Sequence, residues 1–169
     1  PPKCGATGTG TTGYLVPRLL EDTIGAKFNL VTGYKGGNEV DLAVERGHEV
    51  RALTRRPQNS RDGVEWIEGS LESRDVLEKL VTASDAVIHV AGVINARDAA
   101  GFEAGNVTGT LSMLAAATAA GTRRFVHVSS LAAREPKLSI YGASKARSVE
   151  LVRGSGLDWT IVRPPAVYG

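Results

Sequence analysis

The chain has 169 residues, 42% apolar and 22% charged, which is enough for one soluble domain with a real core. A net charge of +2 is too small to argue for nucleic acid or a membrane surface as partner. No apolar run approaches the roughly 18 residues that span a bilayer, and no signal peptide is visible, so the cytoplasm is the expected compartment.

Cys4 is the sole cysteine, which leaves no disulfide framework and no cysteine cluster for a metal. The three histidines, His48, His89 and His127, sit in or near apolar runs, where packing is the expected role.

Lys3–Ala6 predicts a short strand and Tyr14–Thr23 a helix, in which Pro17 is tolerable only in the first turn. Lys27–Val31 predicts a strand, and Gly37–Arg46 a helix with Val40, Ala43 and Val44 on one face. His48–Thr54 and Val64–Ile67 follow as strands. The helix expected over Arg74–Val81 gathers Leu77, Leu80 and Val81 on one side. Ala86–Ala91 predicts a buried strand, and Asn106–Ala120 a helix that Asn106 could cap and Gly121 stops. Phe125–Val128 predicts a strand, Ser139–Arg153 a helix closed near Gly154, and Trp159–Val162 the last strand. Short apolar strands alternating with helices imply an α/β fold with a mostly parallel, doubly wound sheet. The Lys3–Thr23 unit is an extra N-terminal βα piece. Function in such sheets gathers at the carboxyl ends of strands, where Ala91-Gly92, Ser129-Ser130 and Arg163-Pro164 lie.

Tyr141 and Lys145 are four residues apart, so a helix puts a phenol and an ammonium on one face. A nearby cation favours phenolate over phenol, and a phenol so tuned exchanges a proton with a substrate hydroxyl near neutral pH. Ser129 and Ser130, at the preceding strand end, could hold the substrate oxygen. An ordinary exposed pair on a helix is the competing explanation, and the serines and flanking strands weigh against it.

From about Val44 to Gly169 the order of motifs is specific. ERGHEVRALTRRP, AVIHVAG, Asn106-Val-Thr-Gly-Thr110, FVHVSS, Tyr141-x-x-x-Lys145 and Arg163-Pro-Pro-Ala-Val-Tyr-Gly169 follow one another. This order resembles the extended and atypical short-chain dehydrogenase/reductases, the NAD-dependent epimerase/dehydratase group, with their Rossmann-like sheet. The resemblance implies an NAD(P)-dependent oxidoreductase or epimerase core that moves a hydride at a hydroxyl- or carbonyl-bearing carbon. By that resemblance Tyr141 is the general acid/base. Lys145 binds the nicotinamide ribose and lowers the Tyr141 pKa, and Ser130 orients the substrate oxygen. Ala91, Gly92 and Pro164 lie beside the cofactor. Arg55, at the end of the second family strand, faces the adenosine ribose and favours NADP over NAD.

The glycine loop departs from the family pattern T-G-x-x-G-x-x-G. Gly33, Gly36 and Gly37 occupy its place in Thr32-Gly-Tyr-Lys-Gly-Gly-Asn-Glu39, but Glu39 stands where the third family glycine belongs. A carboxylate there is bulky and repels phosphate. Gly8-x-Gly10-x-x-Gly13 also matches a dinucleotide fingerprint. The ribose-reading residue belongs about 20 residues past the loop. Arg55 lies 22 past Gly33 and 47 past Gly8, so the Gly33 loop is favoured.

Residues 1–47, with Gly5-Ala-Thr-Gly-Thr-Gly10 and Lys27-Phe-Asn-Leu-Val-Thr-Gly-Tyr-Lys-Gly-Gly-Asn-Glu-Val-Asp-Leu-Ala-Val-Glu-Arg-Gly47, resemble part of the solute receptors of tripartite tricarboxylate transporters. That likeness implies a chimera and accounts for Glu39. The chain also ends where extended members continue into a substrate domain. The alternative expectation is therefore a folded but inactive chimera or fragment with weak or no dinucleotide binding.

Overall fold

The computed structural model describes residues 3–6, 29–32 and 47–164. They fall into two compact units that divide between Glu68 and Gly69.

The first unit contains two parallel strand pairs. β1 (Lys3–Ala6) pairs with β2 (Asn29–Thr32), and β3 (Val50–Thr54) pairs with β4 (Val64–Glu68). The strands expected near Lys3, Lys27, His48 and Val64 are thus all present. The helices expected over Tyr14–Thr23 and Gly37–Arg46 lie outside the described residues, as do Gly8–Gly13, Gly33, Gly36, Gly37 and Glu39. Behind β3 the backbone curls around one hydroxyl. Thr54 Oγ1 donates to the Arg56 carbonyl at 2.6 Å and accepts from the Arg56 amide at 3.2 Å. The turn lines a pocket of about 420 Å³ with Thr54, Arg55, Arg56 and Gln58.

The second unit is a three-stranded parallel sheet of β5 (Ala86–His89), β6 (Arg124–Val128) and β7 (Asp158–Val162), in that order. Helix α1 (Arg74–Val81) precedes β5 and buries Leu77 and Val81, the i and i+4 positions of its apolar stripe. Asp98 caps a helical run that joins β5 to β6. It comprises α2 (Ala99–Phe102), a π-helical segment (Glu103–Thr108) and α3 (Gly109–Ala119). Helix α4 (Ile140–Arg153), capped by Ser139, joins β6 to β7. Parallel crossovers are almost always right-handed, so two made in the same direction place their helices on one face, and α3 packs on α4.

Central β6 is buried on both faces, as a parallel strand between neighbours requires: Phe125, Val126, His127 and Val128 are all buried. Edge strand β5 alternates instead, with Val87 and His89 buried and Ala86 and Ile88 exposed. Among the described residues no helix is long and apolar enough to cross a membrane.

Candidate active site

The site is built on the second unit, where the ends of β5, β6 and β7 meet the first turns of α4. Ser139 Oγ accepts from the Gly142 amide at 2.9 Å and fixes where α4 begins. That start sets Tyr141 in the first turn and Lys145 in the second. Gly142 is required between them: a Cβ there would stand 2.8 Å from the Ala132 carbonyl oxygen. The main chain following Ser130 therefore packs directly against the Tyr141 turn. The Tyr141 ring is half-buried, 6.0 Å from that of Phe102.

Lys145 is buried at 4% exposure, and its Nζ donates to the Val128 carbonyl at 2.9 Å. Burial lowers its pKa from the usual lysine range to about 8. An ammonium of that pKa still keeps most of its charge at pH 7. Gly92 lies against it: a Cβ built on Gly92 would meet Asn106 Oδ1 at 2.7 Å and Lys145 Nζ at 3.7 Å. Ala91 beside it is exposed, leaving main chain open at the end of β5.

Ser130 caps a 3-10 turn (Leu131–Arg134), its Oγ accepting from the Ala132 amide at 3.2 Å. Pro164 is tied to the same turn, because its carbonyl accepts from the Leu131 amide at 2.9 Å. Ser129 Oγ and Arg163 Nε are buried without a hydrogen-bond partner among the described residues. Among the described residues no cluster of histidine, cysteine, aspartate or glutamate could hold a metal ion.

Asn106 is the element that sequence reasoning under-read. It lies inside the π-helical segment and does not cap a helix; Asp98 begins the helical run instead. Its side chain bolts three pieces together. Oδ1 accepts from the Val93 amide at 2.8 Å, while Nδ2 donates to the Val93 carbonyl and to Ser144 Oγ, each at 2.9 Å. Ser144 Oγ in turn donates to the Tyr141 carbonyl at 2.8 Å. The loop after β5 is thereby locked to α4 between Tyr141 and Lys145. A π-helical segment in a helix that is otherwise α-helical often marks such a functional position. Asn106→Ala removes three hydrogen bonds, one buried and two part-buried, and is expected to lower stability by about 2–4 kcal/mol. The melting temperature then falls by roughly 5–15 °C. A calorimetric scan that matches the parent protein would refute this role.

Two histidine rungs lie behind the pair. His89 and His127 are register partners on β5 and β6, and their rings stack with centroids 5.5 Å apart. His89 Nε2 meets Thr110 Oγ1 at 3.1 Å, and His127 Nε2 meets Ser148 Oγ at 3.0 Å. Burial, with the neighbouring Lys145, pushes His89 down to about 4. Burial, with His89 and Lys145 adding to it, pushes His127 down to about 3. Packing was the expected role for both, and both are core residues; His48 is exposed.

The sequence model of a family described as NAD(P)H-binding matches residues 31–168. The chain belongs to the NAD(P)H-binding family. This NAD(P)H-binding domain is of the short-chain dehydrogenase/reductase and NAD-dependent epimerase/dehydratase type. Its match begins upstream of Val44 and takes in part of the segment likened to a solute receptor.

The domain is 44% identical over 142 residues to ceramide reductase of Caulobacter vibrioides, covering 82% of this chain and 44% of that protein. It is 35% identical over 162 residues to the 4-hydroxy-2-methyl-3-oxo-4-farnesyl-3,4-dihydroquinoline-1-oxide ketoreductase of Stigmatella aurantiaca, covering 82% and 48%. The chain thus spans about half the length of the curated relatives it matches. A short-chain dehydrogenase/reductase superfamily protein from Agrobacterium tumefaciens, solved with bound NAD, superposes with a TM-score of 0.60 at 26% identity, covering 95% of this chain and 48% of that one. The Bordetella bronchiseptica enzyme WbmH, in complex with NAD+, gives a TM-score of 0.65 at 22% identity over 73% of this chain and 49% of its own, a likeness of fold.

Proposed function

We propose that the chain is the cofactor-binding half of an NAD(P)H-dependent carbonyl reductase, with Tyr141 as general acid/base. The observation that carries this reading is Lys145. A buried ammonium is expensive to keep in a fold, yet here it sits one helical turn from Tyr141, against the open backbone of Ala91-Gly92. The residues present fit a dinucleotide's nicotinamide end: a cation, exposed strand-end main chain, and the unsatisfied Ser129 hydroxyl.

When bound, the nicotinamide supplies or accepts the hydride. Lys145 holds the ribose and keeps positive charge beside the phenol. Ser130 orients the carbonyl oxygen, and Tyr141 Oη gives its proton to that oxygen as the alcohol forms. Pro164 frames the pocket through the Leu131 amide. Relatives named for ceramide and for a farnesyl-bearing quinoline support a substrate with a lipid-like chain. Ile94 and Leu138, 84% and 81% exposed beside these strand ends, suit such a chain.

Arg55 is proposed to read the 2′-phosphate of NADP, since it is exposed in the pocket behind β3 with Arg56. Gly33, Gly36 and Gly37 are proposed to carry the pyrophosphate. Titrating NADPH and NADH by fluorescence tests the role of Arg55. NADPH is expected to bind at least tenfold tighter, a margin of about 1.4 kcal/mol, and Arg55→Ala should erase the difference. Equal affinities for the two cofactors in the parent protein would remove Arg55 from the site.

A further inference from the structure

We propose that His89 and His127 are positioning residues of the reductase site, acting through two hydroxyls that hold the main chain of Asn106 and Lys145. The proposal rests on the reductase reading for its consequence and on geometry for its mechanism. Thr110 Oγ1 donates to the Asn106 carbonyl at 2.7 Å, and Ser148 Oγ donates to the Lys145 carbonyl at 2.9 Å. A hydroxyl has one proton, so each has only lone pairs left for the ring facing it. Both rings must therefore donate, as neutral Nε2–H tautomers.

His127 Nδ1 is buried and has no partner among the described residues, so a second ring proton would find no acceptor there. Among the described residues, the titratable groups facing each ring are the other ring and Lys145, and neither ring faces a carboxylate that would hold it charged.

The two rungs have a common purpose. Each ties a helix to the strand before it at the residue on which the chemistry depends. On β6, Val128 accepts from Lys145 Nζ, and the adjacent His127 holds the Lys145 carbonyl through Ser148. When Lys145 Nζ turns toward a ribose it slackens the first tie, and the His127 rung then keeps the α4 turn in register. A leucine at position 127 would fill the same core without desolvating a polar ring, so packing by itself does not call for histidine. Register explains why there are two: His89 and His127 are paired residues on adjacent strands, and both point to the helix face.

The test compares His127→Leu with His127→Gln, whose side-chain amide N–H reaches the place of Nε2–H. Ser148→Ala is a third variant that leaves the ring and removes its target. Two measurements are made well below each melting point: NADPH affinity by fluorescence, and backbone hydrogen exchange across residues 140–149.

Leucine at 127 is expected to weaken NADPH binding about tenfold and to speed exchange in α4 about tenfold, the scale of one lost buried hydrogen bond. Glutamine should restore both, and Ser148→Ala should reproduce the leucine phenotype. A leucine variant that only melts earlier, with parental affinity and exchange, would overturn the proposal, as would glutamine behaving like leucine. If the parent protein binds no NADPH, the reductase reading fails, and the exchange data alone still decide the rungs. Should His127→Leu not fold, unchanged exchange in Ser148→Ala is the overturning result.

Discussion

Replacing Tyr141 with phenylalanine is expected to remove turnover and leave cofactor binding intact. The substitution deletes one oxygen and keeps the ring that packs 6.0 Å from Phe102, so the α4 turn is not disturbed. What is lost is the phenolic proton proposed to reach the developing alkoxide. A positioned general acid contributes roughly 10²–10⁴ in rate, so the variant should fall by at least that factor in an assay of NADPH oxidation with long-chain carbonyl substrates. The Kd for NADPH should stay within about twofold, since RT ln 2 is about 0.4 kcal/mol. Full turnover in Tyr141→Phe would reject the proposed chemistry. A large loss of NADPH affinity would instead assign the hydroxyl to cofactor binding.

The second large effect is acid lability. His89 and His127 stay neutral in the folded protein down to about 4 and about 3, whereas in the unfolded chain both titrate near 6.5. Between those values the unfolded state takes up protons that the folded state cannot, so stability is fully present above pH 6.5 and is lost as pH falls. Two such protons give a slope of up to about 2.7 kcal/mol per pH unit. That is large beside the roughly 5–15 kcal/mol that holds most domains folded. The window from pH 6.5 to 5 lies above most carboxylate titrations, which isolates the histidines. Urea midpoints at pH 7, 6 and 5 should fall steadily in the parent protein, and in a His89→Gln/His127→Gln double variant they should stay nearly level. Identical midpoints at pH 7 and pH 5 in the parent would show that the rings accept protons while folded.

Much of the second unit was legible before any coordinates. The Arg74–Val81 helix, the β6 and β7 strands and the α4 helix appear where apolar periodicity and the Gly154 stop place them, because those signals are local. The helix before β6 was read as starting at Asn106 and starts instead at Ala99. Asp98 supplies the cap, and the sequence AAGFEAG carries too little apolar pattern to announce a helix. Tyr141 and Lys145 could be picked out from their four-residue spacing on a helix, and Ser129-Ser130 from their strand-end position, while the choice of Ser130 came from the family resemblance.

The supporting residues were not legible in that way. Asn106 meets Ser144 across 38 residues of chain, and His89 and His127 each meet a hydroxyl 21 residues away. No local pattern distinguishes those polar side chains from ordinary ones on an apolar helix. The sequence by itself determined most of the described elements, the parallel α/β class and the helix face that Tyr141 and Lys145 share, because propensity, periodicity and i, i+4 spacing act over one or two turns. Only the tertiary structure decided that Lys145 is buried and bonded to Val128, that Gly92 must lack a side chain, and that two neutral histidines brace the helices behind the site. Strand register and helix packing join residues far apart in sequence, and burial then sets which of them can carry charge.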